Sequence, residues 1–125
     1  MMSMTGCRSY VLIAFPLFAI HVVEEYLTGA YALDPATQLM AAYLNIAPFA
    51  IFAGIATLLF LFLIYLLYNE NVLTLLIFGL ALAVELSHPI YSLVSGSYFA
   101  VITSIPLIVL SFFFWKKFLK ERMLT

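Results

Sequence analysis

The sequence predicts an all-α fold: an integral membrane four-helix bundle with both termini in the cytoplasm and proline-kinked helices. Three observations lead there. The 125-residue chain is 66% hydrophobic and only 9% charged, with a mean hydropathy of +1.17, whereas soluble domains are about half apolar. Its apolar residues run on for as long as the ~20 residues a bilayer core requires, without the strict alternation of ~10-residue barrel strands. Finally, Lys and Arg occur only near the two ends, as Arg8 and as Lys116, Lys117, Lys120 and Arg122. Four crossings bring both ends to one side, which the positive-inside rule makes the cytoplasm.

The first span covers about 10–27 and gives way to the loop signals Gly29 and Asp34-Pro35. The second covers about 38–68, longer than a crossing needs, so it tilts, kinks at Pro48 or begins with an interfacial turn. Tyr68-Asn69-Glu70-Asn71 closes it. The third covers about 72–94, is interrupted by Pro89 and ends at Ser95-Gly96-Ser97; the fourth covers about 98–118. Pro16 and Pro106 fall inside the first and last spans. The spans fill nearly the whole chain, so residues 1–125 read as a single transmembrane domain. Any function then sits in or at the bilayer.

Composition also narrows the partners. A short basic tail after a membrane helix is a topology signal, and nothing provides the groove-reading or stacking surface of a nucleic-acid binder, so no nucleic acid is expected. Cys7 is the one cysteine, which rules out an internal disulfide and argues against a thiolate cluster. The Met-rich start has no small-x-small cleavage site after its apolar run and reads as retained. The Phe and Tyr residues, with Tyr10, Tyr26, Tyr68, Tyr98 and Trp115 among the ring-bearing side chains near span ends, read as lipid-facing or belt residues. Asp34 and Glu70 read as solvated loop charges.

Inside the stretch that lacks Lys and Arg stand two acid and imidazole motifs, His21-x-x-Glu24-Glu25 in the first span and Glu85-x-x-His88 in the third. Residues three and four apart share a helix face. The two spans run parallel, and His21 and Glu85 lie within roughly 3 Å of one depth at 1.5 Å rise per residue, in the outer half of the membrane. The motifs have opposite order, so each histidine could face the other helix's glutamate. Tyr43, Asn45, Thr103 and Ser104 fall near the same level, and Ser87 and Ser92 flank the second motif.

Ionisable groups in hydrocarbon are costly and mark ion, proton or substrate sites. With Glu costing as much as Asp, roughly 2.5 kcal/mol or more each on the insertion scale, three glutamates are an expensive way to glue helices, since interhelical hydrogen bonds average ~0.6 kcal/mol. An i, i+3 carboxylate and imidazole pair is the unit used by di-iron and di-manganese helical bundles. Two imidazoles and three carboxylates suit one or two divalent ions, Zn or Fe, and suit Cu(I) poorly. The expected ligands are His21, Glu24, Glu25, Glu85 and His88. One of Glu24, Glu25 and Glu85 would remain as the catalytic base for an apolar or lipid-like substrate arriving from the outer leaflet. Pro89 would free the Glu85 carbonyl as a further oxygen donor.

Two alternatives need no metal: acid/base isomerisation of a lipid or isoprenoid skeleton, and proton or ion translocation. A relay would have to continue toward the cytoplasm, where the spans offer little beyond Thr57, Tyr65, Thr74 and Ser111. Haem bound by His21 and His88 sits badly beside glutamates, and the two histidines of one zincin helix turn are missing. The functional unit is a monomer or a homodimer in the lipid bilayer.

His21-Val-Val-Glu24-Glu25 resembles the signature of the HXXEE family of small bacterial and archaeal membrane proteins, and the segment from Gly79 to Glu85-x-x-His88 looks like that family's second motif. The resemblance extends over nearly the whole chain and implies a site at His21, Glu24, Glu25, Glu85 and His88 without implying a reaction. It also implies a multi-pass protein of a prokaryotic plasma membrane.

Overall fold

The computed structural model describes residues 5–98 and 100–122. The retained start expected at 1–4, Phe99 of the fourth expected span and residues 123–125 lie outside the described residues. The described chain is all-helical. It comprises α1 (Thr5–Thr28), α2 (Ala30–Leu33), α3 (Pro35–Leu44), α4 (Pro48–Tyr68), α5 (Val72–Ala83), a 3₁₀ turn (Val84–Leu86), α6 (Ser87–Ser95) and α7 (Val101–Arg122). Four helical stretches are long and apolar enough to cross a membrane: Cys7–Thr28, Pro48–Tyr68, Val72–Ser95 and Val101–Glu121.

The long second apolar run is divided in two. Asn45 ends α3 in the left-handed conformation at φ 55, which a short polar side chain tolerates better than most. Pro48 disfavours the helical region for the residue before it, and Ala47 is extended at ψ 141. Pro48 therefore occupies the first turn of α4, where a missing N–H costs nothing, and does not bend a longer helix. Asp34 caps α3 by accepting from the N–H of Thr37 at 3.1 Å. Asn71 and Thr74 cap α5 reciprocally.

α7 packs against α1, α5 and α6, whereas α4 lies to the side on α1 and α3 and touches α5 lightly. Each helix buries a narrow stripe. On α1 it is Cys7, Val11, Ala14 and Phe18; on α5, Leu75, Phe78 and Leu82; on α7, Phe118, Phe114, Leu110 and Leu107. These residues recur three or four apart, as a single buried helix face requires. α5 and α7 meet closely at Gly79, whose carbonyl accepts from Trp115 Nε1 at 3.0 Å. The outward faces remain apolar, with Leu27, Leu58, Leu73, Leu93 and Phe112 well exposed. A water-soluble monomer does not present such a surface, and a lipid-embedded one does.

Candidate metal centre

The three stripes that make the dry core continue upward into the site. One turn beyond Phe18 the α1 stripe reaches His21 and then Glu25. One turn beyond Leu82 the next stripe reaches Glu85 in the 3₁₀ turn and His88 on α6, and beyond Leu107 the α7 stripe reaches Ser104. The spacing that buries an apolar side chain below thus buries an ionisable one here. His21 is 3% exposed, Glu85 7%, His88 8% and Ser104 0%. A 3₁₀ turn within a helix often marks a functional hinge or local strain, and here it holds Glu85.

Four side chains converge. His21 Nε2 lies 3.0 Å from Glu25 Oε1 and 2.9 Å from Glu85 Oε2. His88 Nε2 lies 3.5 Å from the same Glu25 oxygen, and the two imidazole rings are 4.7 Å apart at 32°. The ligating atoms of His21, Glu25 and His88 all lie within 4.8 Å of one another, and this group could hold a metal ion. Glu85 flanks it, since its Oε2 approaches His88 at Nδ1, 3.5 Å away, and stands 3.2 Å from Ser104 Oγ.

Glu24 is placed apart from these four. Its Oε1 accepts from the Thr103 N–H at 3.2 Å and from the Thr103 hydroxyl at 2.7 Å, and its Oε2 accepts from the Tyr98 hydroxyl at 2.7 Å. It still reaches the cluster through one intermediary, because the same Thr103 hydroxyl is 2.8 Å from His21 Nδ1. A hydroxyl has one proton to give. With that proton on the Glu24 carboxylate, the Thr103 oxygen must accept, and Nδ1 of His21 is the protonated nitrogen. In the neutral ring, His21 Nε2 then presents a lone pair.

His88 is held in the same way by the next residue of α7. Its Nδ1 lies 2.9 Å from Ser104 Oγ, which donates to the Ala100 carbonyl at 2.8 Å. With its proton on that carbonyl, the Ser104 oxygen accepts from His88 Nδ1, and in the neutral ring His88 Nε2 also carries a lone pair. Consecutive α7 hydroxyls therefore turn two Nε2 atoms toward one carboxylate. Anchoring the far nitrogen of an imidazole is how proteins orient a metal-binding histidine.

The donor set fits a divalent ion. His21 Nε2 is buried and makes no hydrogen bond, although two carboxylate oxygens stand within 3.0 Å. Both distances are those of an ion pair when the ring is protonated, and neither contact meets hydrogen-bond geometry. Two donors bonded at about 2.0–2.2 Å to one ion and separated by roughly 90–110° stand about 2.9–3.5 Å apart. The contacts of Glu25 Oε1 with the two imidazoles fall in that interval. Two neutral imidazoles with Glu25 and Glu85 around a divalent ion also give zero net charge, the favourable outcome in a dry interior.

Two openings lead toward the cluster. A small cavity lies between α1 and α4 with His21, Glu25 and Glu85 on its wall. A larger one, bounded by Asp34, Ser87 and Tyr91, ends at His88.

Thr103 and Ser104 were identifiable in the sequence as polar residues at the right depth. Tyr98 was not, because an aromatic residue at a span end reads as belt. Comparison with protein families, curated proteins and solved structures finds no match to this chain. The site rests on its own geometry.

Proposed function

We propose that the chain is a membrane-embedded metalloprotein, an enzyme that holds one divalent ion, zinc or iron, through His21 Nε2, Glu25 Oε1 and His88 Nε2. The observation that carries this reading is the buried His21 Nε2, which stands between two carboxylates and, in the neutral tautomer held by Thr103, offers a lone pair there. Burying such an atom for no purpose would cost roughly 1–3 kcal/mol. A bound ion would supply Lewis-acid chemistry. Glu85, flanking the triad, is the candidate general base, or the fourth ligand where the ion needs one. Glu24 acts on His21 through Thr103.

The positive-inside reading puts both termini in the cytoplasm and the cluster in the outer half of a prokaryotic plasma membrane. All donors come from one chain, so the site is complete without a homodimer. Membership of the HXXEE family rests on the motif residues His21, Glu24, Glu25, Glu85 and His88.

Metal-free acid/base catalysis is the second reading, favoured by the 2.9 Å approach of His21 to Glu85. Proton translocation has less support, because below the cluster the buried stripes run through Phe18, Leu82, Leu107, Phe78 and Phe114. Elemental analysis of protein purified in detergent without chelators separates the first two. The metalloprotein reading expects about one ion per chain, weakened or lost in His21→Ala, and a wild-type content below about 0.2 overturns it.

A further inference from the structure

The cavity between α1 and α4 has a volume of about 110 Å³. Its walls are apolar, formed by Phe18 and Val22 of α1 and by Phe52, Ile55, Ala56 and Leu59 of α4. Its polar end is the His21, Glu25 and Glu85 side of the cluster. Water would find hydrogen-bond partners only at that end, and ordered water needs two to four. The walls therefore suit hydrocarbon.

The dimensions restrict the hydrocarbon. Pockets for drug-sized ligands measure roughly 300–1,000 Å³, and an apolar cavity of about 150 Å³ takes a single benzene ring. The slot at 110 Å³ is smaller than either and suits a chain segment a few carbons long better than a fused-ring skeleton. Its α4 wall is the least embedded of the four spanning helices, with 17% of its window buried, and Ile55 is 47% exposed on the outer surface. The slot thus lies against a lipid-facing helix.

We propose that this slot binds one unbranched alkyl or acyl chain drawn from the bilayer, and that it presents carbons of that chain to Glu25 and Glu85. The buried, unbonded His21 Nε2 on the same wall is a second sign of a ligand position. This assignment rests on the reading of the cluster as a reactive site, and binding of the chain itself does not depend on the ion.

The test uses the purified full chain in nanodiscs, a palmitic acid with a diazirine on its alkyl chain, and a sterol carrying the same group. After irradiation, the expected label from the linear probe lies within residues 18–25 and 52–59 and is competed away by excess palmitate. Ala56→Phe, which fills the slot, should cut this label roughly tenfold while leaving the metal content unchanged. Val22→Phe fills it from the opposite wall and provides the same reading should Ala56→Phe fail to fold. The sterol should label only lipid-facing positions. Label that is not competed by palmitate, or that survives in a folded slot-filling variant, overturns the proposal. Competable label on a protein without metal would leave the slot standing and refute the metalloprotein reading.

Discussion

The Thr103 hydroxyl stands 2.8 Å from His21 Nδ1 and can only accept from it, because its own proton is held by a carboxylate 2.7 Å away. One hydroxyl on α7 thereby decides which nitrogen of a histidine on α1 is available to a ligand. Helix packing is converted into a tautomer, and the tautomer into a donor.

Thr103→Val keeps the shape of the side chain and removes that hydroxyl. Loss of an outer hydrogen bond to a metal-binding histidine typically costs 10–100-fold in affinity. We expect a loss of about that size, read by competition with a coloured chelator, with helix content unchanged by circular dichroism. Ser104→Ala should act on His88 in the same direction.

Glu24 and Glu25 are adjacent in sequence and should behave differently. Glu25→Gln removes the oxygen shared by both imidazoles and should abolish stoichiometric metal, because a neutral amide is a poor replacement for a carboxylate. Glu24→Gln keeps the cluster and loosens only the Thr103 link, so metal should remain with an affinity lower by about tenfold. Equal loss in both variants, measured by elemental analysis and chelator competition, would place Glu24 among the direct ligands.

Much of this was legible in the chain. The apolar runs announced the spans through length alone, and the buried stripe on α1 can be followed residue by residue from Cys7 through Val11, Ala14 and Phe18 to His21 and Glu25. The sequence could not separate Glu24 from Glu25. Neighbouring residues on a helix point about 100° apart, and which of them faces the cluster depends on where α7 lies. Tyr98 was hidden for the same reason, since its partner Glu24 is 74 positions away. The second run was read as one long span with three ways to fit. The division at Asn45 follows from a left-handed residue three positions before a proline, a signal present in the letters but outweighed by continuous apolarity.

Gly79 tests the packing that supports the site. A Cβ there would come within 2.6 Å of the Trp115 ring and 2.7 Å of the Phe114 ring; Phe114 is fully buried and Trp115 is tied to the Gly79 carbonyl. Overpacking of this kind costs about 1–3 kcal/mol. Gly79→Ala should lower the thermal unfolding midpoint in detergent, monitored by the fluorescence of Trp115.

Topology is checked by cysteine accessibility in a Cys7→Ala background. With the termini in the cytoplasm, Ser97→Cys should react in whole cells with a membrane-impermeant maleimide, and Asn69→Cys should react only after permeabilisation. The reverse pattern would turn the bundle over.

The most direct measurement of the central claim is X-ray absorption at the edge of the metal that co-purifies with the protein. The account predicts a shell of nitrogen and oxygen at about 2.0–2.2 Å with the outer scattering of two imidazoles and no sulfur. His21→Ala or His88→Ala should each remove one imidazole or the metal altogether. A shell without imidazole, or one unchanged in both variants, would contradict it.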